Sequence, residues 1–85
     1  MKEFKYVITD AEGIHARPAG ELVKAAKEFS SKITIIKDGK SGDCKQIFGV
    51  MALAVKCGNE VTITVEGEDE EAAAAKIEEF MKSNM

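Results

Sequence analysis

The chain has 85 residues and a net charge of −3, with 45% hydrophobic and 32% charged residues. This length supports a single domain, residues 1–85, and this balance excludes a disordered or low-complexity chain. Its longest uncharged apolar stretch, 47–55, is too short to span a bilayer, and no apolar block of a signal peptide follows the first lysines. We therefore predict a cytoplasmic protein without a membrane segment.

The charge is unevenly distributed along the chain. Residues 1–65 carry ten basic and eight acidic side chains, whereas residues 66–85 carry two basic and seven acidic ones. A general nucleic-acid binder needs a net basic footprint to displace counterions, so this distribution argues against nucleic acid as a partner. It leaves room for a local basic face in the first part of the chain.

The two cysteines, Cys44 and Cys57, have no metal-binding spacing, and the chain has a single His. We therefore predict no metal and no cofactor. A single disulfide is one interpretation, but in a reducing cytoplasm we favour two buried free thiols.

Strands alternate with helices along the chain. Val61, Ile63 and Val65 repeat with the period of two that is typical of a half-buried strand, and Asp38-Gly39 is the signature of a tight hairpin. Apolar residues at the i, i+3, i+4, i+7 spacing predict helices, with buried stripes that include Leu22 and Ile77. The predicted strands are 2–9, 33–37, 40–44 and 61–65, and the predicted helices are 16–29, 46–55 and 69–81.

This order, β-α-β-β-α-β-α, predicts an α+β fold with a mostly antiparallel four-stranded sheet. Three helices would cover one face of the sheet and leave the other face in water.

One segment carries the chemistry: Gly13-Ile14-His15-Ala16-Arg17-Pro18, at the junction between a loop and the first helix. It contains the only His, Arg and Pro of the chain. Pro18 fits the first helical turn, where its missing N–H costs nothing, and Gly13 lets the loop turn. His15 would then lie at the helix N-terminus, where unpaired N–H groups and the helix dipole favour an anion.

A phosphoryl group on the imidazole of His15 would lie beside those N–H groups and the guanidinium of Arg17, which pairs with phosphate oxygens. Phosphoryl transfer depends mainly on positioning and charge, so one His and one Arg suffice if a partner supplies the rest. The sequence has no Gly-rich ATP-binding loop, so the domain would receive phosphate from another protein. The alternative is a capping or surface histidine without chemistry.

A docking surface for protein partners is predicted beside this segment. Lys24 and Lys27 continue a basic stripe from Arg17 along the helix, and Ile47, Phe48 and Met51 form an apolar cluster of which Phe48 should be partly exposed. The alternatives are solvated lysines and ordinary core packing.

The segment GIHARPAG, together with KDGK and VTITVEGEDE, resembles HPr, the histidine phosphocarrier family of the bacterial phosphoenolpyruvate:sugar phosphotransferase system. The resemblance covers essentially the whole chain and implies an open-faced β-sandwich. It implies that enzyme I phosphorylates Nδ1 of His15, that Arg17 contacts the phosphoryl group, and that IIA units of sugar permeases receive it. Gly13, Ala16 and Pro18 would support this site, and Ile47 and Phe48 match the family's docking residues.

Gly49-Val50-Met51 is similar to HPr of low-GC Gram-positive bacteria, in which a regulatory serine begins the second helix. Here that position is Gln46, which has no hydroxyl, so we predict no regulatory phosphoserine. The resemblance predicts a phosphocarrier that has no turnover of its own. The sequence leaves the oligomeric state open, and we take a monomer as the default. The alternative is an HPr-like regulatory or docking module that never carries phosphate, and the joint presence of His15 and Arg17 argues against it.

Overall fold

The computed structural model describes residues 1–11, 13–14 and 16–84. It has the predicted order of elements. The elements are β1 (Lys2–Val7), α1 (Ala16–Lys27), β2 (Lys32–Lys37), β3 (Lys40–Asp43), α2 (Ile47–Met51), β4 (Glu60–Glu66) and α3 (Glu70–Asn84).

The four strands form one antiparallel sheet in the order β1-β4-β2-β3. β4 lies between β1 and β2, so Ile63 pairs with Phe4 on one side and with Ile35 on the other. The hairpin between β2 and β3 turns at Asp38 and Gly39, whose φ angles of 51° and 79° are the positive values that a tight hairpin turn requires. The prediction of an antiparallel sheet with this hairpin is confirmed.

The core lies on one face of this sheet, beneath the helices. Alternate residues of β4 are fully buried, and they pack in one cluster with Leu22 of α1, Val50 of α2 and Ile77 of α3. Thr62 and Thr64, which alternate with the buried residues, are partly exposed on the other face. The period of two along β4 therefore separates the helix-covered face from the open face.

Four elements are shorter than predicted: α1 and β3 end at Lys27 and Asp43, two residues and one residue early. β1 and α2 are shorter because their ends make hydrogen bonds of another kind. β1 ends at Val7, and Ile8 instead exchanges backbone hydrogen bonds with the turn at Gly58 and Asn59. α2 ends at Met51 because Leu53 and Ala54 bond to carbonyls three residues back, and Ala54 has a φ of 51°. The predictions of a strand to residue 9 and a helix to residue 55 were therefore wrong at these ends.

The thiols differ in their surroundings. Cys44 is fully buried, and desolvation, with a smaller effect of the Asp43 carboxylate, raises its pKa to about 12. Cys57 is exposed in the turn before β4, with Sγ 3.8 Å from the carbonyl oxygen of Thr9. Both thiols are free, so the prediction of buried free thiols is confirmed for Cys44 and wrong for Cys57.

Candidate functional site

Gly13 fixes the loop that leads into α1. Its φ is +69°, and a Cβ at this position would lie 2.3 Å from the carbonyl oxygen of Val55 and 2.6 Å from Cα of Lys56. The next residue, Ile14, donates its N–H to the same Val55 carbonyl at 3.0 Å. The loop backbone therefore lies directly against residues 55–56, an approach that only glycine allows.

α1 begins directly after this loop. Ala16 and Arg17 are exposed in its first turn, and Pro18 is buried beside them. The N–H groups in the first turn of a helix have no acceptor within the helix. Pro18 has no N–H, so it leaves no donor unpaired in this turn. The predicted phosphoryl acceptor, His15, lies outside the described residues.

A depression with a volume of about 290 Å³ opens beside Arg17. It is lined by Asp10, Arg17, Pro18, Glu21 and Asn84. Arg17 and Pro18 were predicted from the sequence as site residues, whereas Asp10, Glu21 and Asn84 were not. Glu21 lies four residues after Arg17, a spacing that places both on one helix face. The proximity of Glu21 to Arg17 could therefore have been predicted from the sequence. Asn84 comes from α3, and no local pattern could place it here.

The predicted basic stripe lies on the exposed surface of α1. Lys24 and Lys27 are both exposed, and both belong to the last turn of the helix. Cations at this end also interact favourably with the helix dipole, so their position has a structural explanation as well as a binding one.

The apolar cluster lies on α2, next to α1. Phe48 is 85% exposed and Met51 is 39% exposed, whereas Val50 between them is fully buried. Ile47 is half-buried, and a methyl group added at Gly20 of α1 would lie 3.9 Å from its Cδ1. Phe48 therefore presents most of its side chain to solvent, and Met51 presents a smaller part.

Close backbone contacts hold α2 in place. A Cβ at Gly42 of β3 would lie 2.4 Å from the carbonyl oxygen of Gly49, so α2 packs directly on the strand. At the other end, Nζ of Lys37 donates hydrogen bonds to the carbonyl oxygens of Leu53 and Ala54, at 3.2 and 3.1 Å. The backbone packing of α2 on β3 and the hydrogen bonds from Lys37 thus fix the orientation of α2 and of Phe48 on it.

Gln46 occupies the N-cap position of α2. Its backbone is extended, with φ −124° and ψ 113°, and its side chain makes no capping hydrogen bond. The side chain is exposed. The side chain of a Ser or Thr at this position could cap the helix by accepting a hydrogen bond from an N–H of its first turn. The Gln46 side chain makes no such bond.

The described part of the chain contains no cluster of three or more His, Cys, Asp or Glu side chains that could hold a metal ion. In the same residues, no helix has both the length and the apolar character needed to cross a bilayer.

Comparison with known proteins defines the class of protein. The family model described as "PTS HPr component phosphorylation site" matches residues 2–83, which is nearly the whole chain. The chain belongs to this family, the HPr phosphocarriers of the phosphotransferase system, as the segments GIHARPAG, KDGK and VTITVEGEDE had indicated.

Individual relatives support the same assignment. The phosphocarrier protein HPr of Mycoplasma capricolum is 48% identical over 81 residues, covering 95% of this chain and 91% of the relative. Among solved structures, a histidine-containing phosphocarrier protein of Mycoplasma superposes with a TM-score of 0.94 at 46% identity, covering 96% of this chain and 93% of that one. HPr of Thermoanaerobacter tengcongensis superposes with a TM-score of 0.93 at 42% identity, with coverages of 98% and 93%.

A second structure of the T. tengcongensis protein is described as an HPr dimer, and it matches with a TM-score of 0.78 at 42% identity, covering 98% of this chain and 95% of that one. The family therefore includes a chain that has been observed as a dimer.

Proposed function

We propose that this protein accepts a phosphoryl group on His15 from enzyme I and passes it to IIA units of sugar permeases. The observation that supports this most directly is the start of α1. The loop is held against residues 55–56 through Gly13 and Ile14, and α1 begins at Ala16 with Arg17 exposed in its first turn. Such an end favours an anion through its N–H groups and its dipole.

The transfer requires no separate base on this chain. A neutral imidazole with its proton on Nε2 attacks phosphorus through the lone pair of Nδ1, while the bond between phosphorus and the donor breaks. The imidazole has an unperturbed pKa of about 6.5, so a large fraction is neutral near pH 7. The charge of Arg17 and the amide dipoles stabilise the phosphoryl oxygens, and transfer to the next protein reverses these steps. The protein is then a carrier that is regenerated by its partners.

The test is phosphorylation by purified enzyme I and phosphoenolpyruvate, with the phosphate located by mass spectrometry. We expect one acid-labile phosphoryl group on His15, and we expect His15→Ala to abolish it while its circular dichroism spectrum stays that of the wild type. Labelling that persists in His15→Ala would refute the assignment. A folded wild type that takes no phosphate would favour the alternative, a docking module that does not carry phosphate.

We propose that Lys24, Lys27, Ile47, Phe48 and Met51 form the surface on which enzyme I and the IIA units dock. Phe48 is exposed on α2 and the two lysines are exposed on α1, and these two helices are in contact. An exposed aromatic side chain together with exposed cations is the composition of a surface that binds an acidic protein partner. The basic stripe should make association salt-sensitive, because electrostatic steering weakens as ionic strength rises.

We also propose that position 46 carries no regulatory phosphate. An amide cannot be converted to a phosphate ester, and Ser41 lies in β3, where its backbone pairs with Ile36. Incubation with HPr kinase and ATP should leave the mass of the protein unchanged. A mass increase of one phosphate on any hydroxyl side chain would contradict this.

We propose that the protein works in the cytoplasm as a monomer, because the residues proposed for the site and for the docking surface all belong to one chain. Analytical ultracentrifugation across a range of concentrations tests this proposal. A dimer, as in the structure of the T. tengcongensis relative, would contradict it.

A further inference from the structure

The depression beside Arg17 is unusual for a site that would attract phosphate. Among the residues that the structure describes, its lining contains one cation, Arg17, and two carboxylates, Asp10 and Glu21. A depression specialised for holding an anion would be lined by cations and amide donors instead. The carboxylates therefore oppose the attraction that Arg17 and the helix N-terminus exert on a phosphoryl group.

Glu21 is placed to act on Arg17 in particular. The two residues lie four apart on α1, so their Cβ atoms are about 6 Å apart on the same helix face. Both side chains are exposed. In the conformation described, no ion pair within 4.0 Å joins them, so Glu21 attracts the guanidinium without holding it, and Arg17 stays available to another anion.

We propose that Glu21 is a positioning residue that competes with the phosphoryl group for Arg17 and so limits the stability of the phosphorylated form. This inference rests on the proposed function. A carrier must release the phosphoryl group as well as accept it, and a site with uncompensated positive charge would retain it. A carboxylate one helical turn from Arg17 reduces that excess attraction.

The experiment compares Glu21→Gln with Glu3→Gln, which removes an equally exposed carboxylate on β1, away from the depression. Each variant is equilibrated with enzyme I at fixed ratios of phosphoenolpyruvate and pyruvate, and the phosphorylated fraction is measured by mass spectrometry. We expect Glu21→Gln to shift the equilibrium toward the phosphorylated form by roughly two- to fivefold, the range of an exposed ion pair. Added salt should reduce this shift.

A second arm does not depend on enzyme I. Inorganic phosphate is titrated into each unphosphorylated variant while NMR follows the backbone amides of Ala16 and Arg17. We expect tighter phosphate binding by Glu21→Gln than by Glu3→Gln, and an intermediate affinity for Glu21→Asp. In an Arg17→Gln background, the effect of Glu21→Gln should fall to that of Glu3→Gln.

Equal behaviour of Glu21→Gln and Glu3→Gln in both arms would overturn the inference, as would a Glu21→Gln effect that persists without Arg17. Failure of every variant to accept phosphate from enzyme I would refute the proposed function instead. The phosphate titration would then still decide whether Glu21 competes for Arg17.

Discussion

Asp69 accepts two hydrogen bonds from Ser31, one from its backbone N–H at 2.9 Å and one from its hydroxyl. It also accepts a hydrogen bond from the N–H of Ser30 at 2.9 Å. The carbonyl of Asp69 accepts the bond from Ala73 that begins the helical pattern of α3. One residue thus joins the loop between α1 and β2 to the start of α3, 38 residues further along the chain.

These bonds predict how stability depends on pH. The Ser31 hydroxyl, followed by the Ser30 N–H, lowers the pKa of Asp69 from 3.8 to about 2. Because the folded pKa is the lower one, the contribution is present above the unfolded pKa and is lost as pH falls from about 3.9 toward about 2. Urea unfolding should show that Asp69→Asn is less stable than the wild type at pH 7 and that the difference shrinks near pH 2.5.

Asp38→Asn is the matched control, because Asp38 is exposed at the hairpin and asparagine tolerates its positive φ. We expect this variant to follow the wild type at both pH values. A stability difference for Asp69→Asn that stays constant down to pH 2.5 would contradict the role given to the ionised carboxylate.

Phe48→Ala should weaken partner binding without unfolding the protein. The side chain is 85% exposed, so its truncation should change the free energy of unfolding by no more than about 0.5 kcal/mol. If it anchors the docking surface, binding to enzyme I or a IIA unit should weaken by about 1–2 kcal/mol, measured by calorimetry. Leu53→Ala, at a buried position, is the contrasting variant and should cost about 2–5 kcal/mol of stability. Loss of stability in Phe48→Ala comparable to that in Leu53→Ala would place Phe48 in the core.

Gly13 and Gly39 form a natural comparison, because both have positive φ but only Gly13 has a crowded Cβ position. Alanine at Gly39 meets nothing within 4 Å and should cost only the conformational penalty of about 1 kcal/mol. Alanine at Gly13 meets the Val55 carbonyl and should cost roughly 1–3 kcal/mol more. Chemical denaturation gives both values, and the same variants assayed with enzyme I should show slower phosphorylation for Gly13→Ala alone. Equal costs at the two positions would show that the contact with residues 55–56 does not hold the loop.

The two thiols should react at very different rates in the folded protein. A maleimide should label exposed Cys57 within minutes, whereas Cys44 should react only after denaturation, because it is buried and its pKa is raised to about 12. Mass spectrometry of the native protein should show one adduct, and Cys57→Ser should show none. Labelling of Cys44 in the native state would indicate that the core beneath β3 opens.

Periodicity predicted most of the fold, because Leu22, Ile77 and the buried residues of β4 follow spacings that each element type imposes. The ends of elements were harder to predict. Ile8 continues the alternation of β1 but pairs with a turn, and Ala54 continues the apolar spacing of α2 but adopts a positive φ. The apolar spacing of each element predicts neither the tertiary hydrogen bonds of Ile8 with Gly58 and Asn59 nor the turn that replaces the helix at Ala54.

The candidate site, like the fold, could be predicted only in part from the sequence. Arg17 and Pro18 were found because rare residue types cluster in one short segment. Asn84 and the contact of Gly13 with Val55 come from distant parts of the chain, so only the folded structure brings them together.

The position of β4 in the sheet has a consequence for how the protein is made. β1 and β2 are not neighbours, and each finds its interior partner in β4. During translation, more than half of the sheet's pairing must therefore wait until residue 66 has emerged from the ribosome. Nascent chains that stop before that point should remain protease-sensitive, and folding should occur as a single late event.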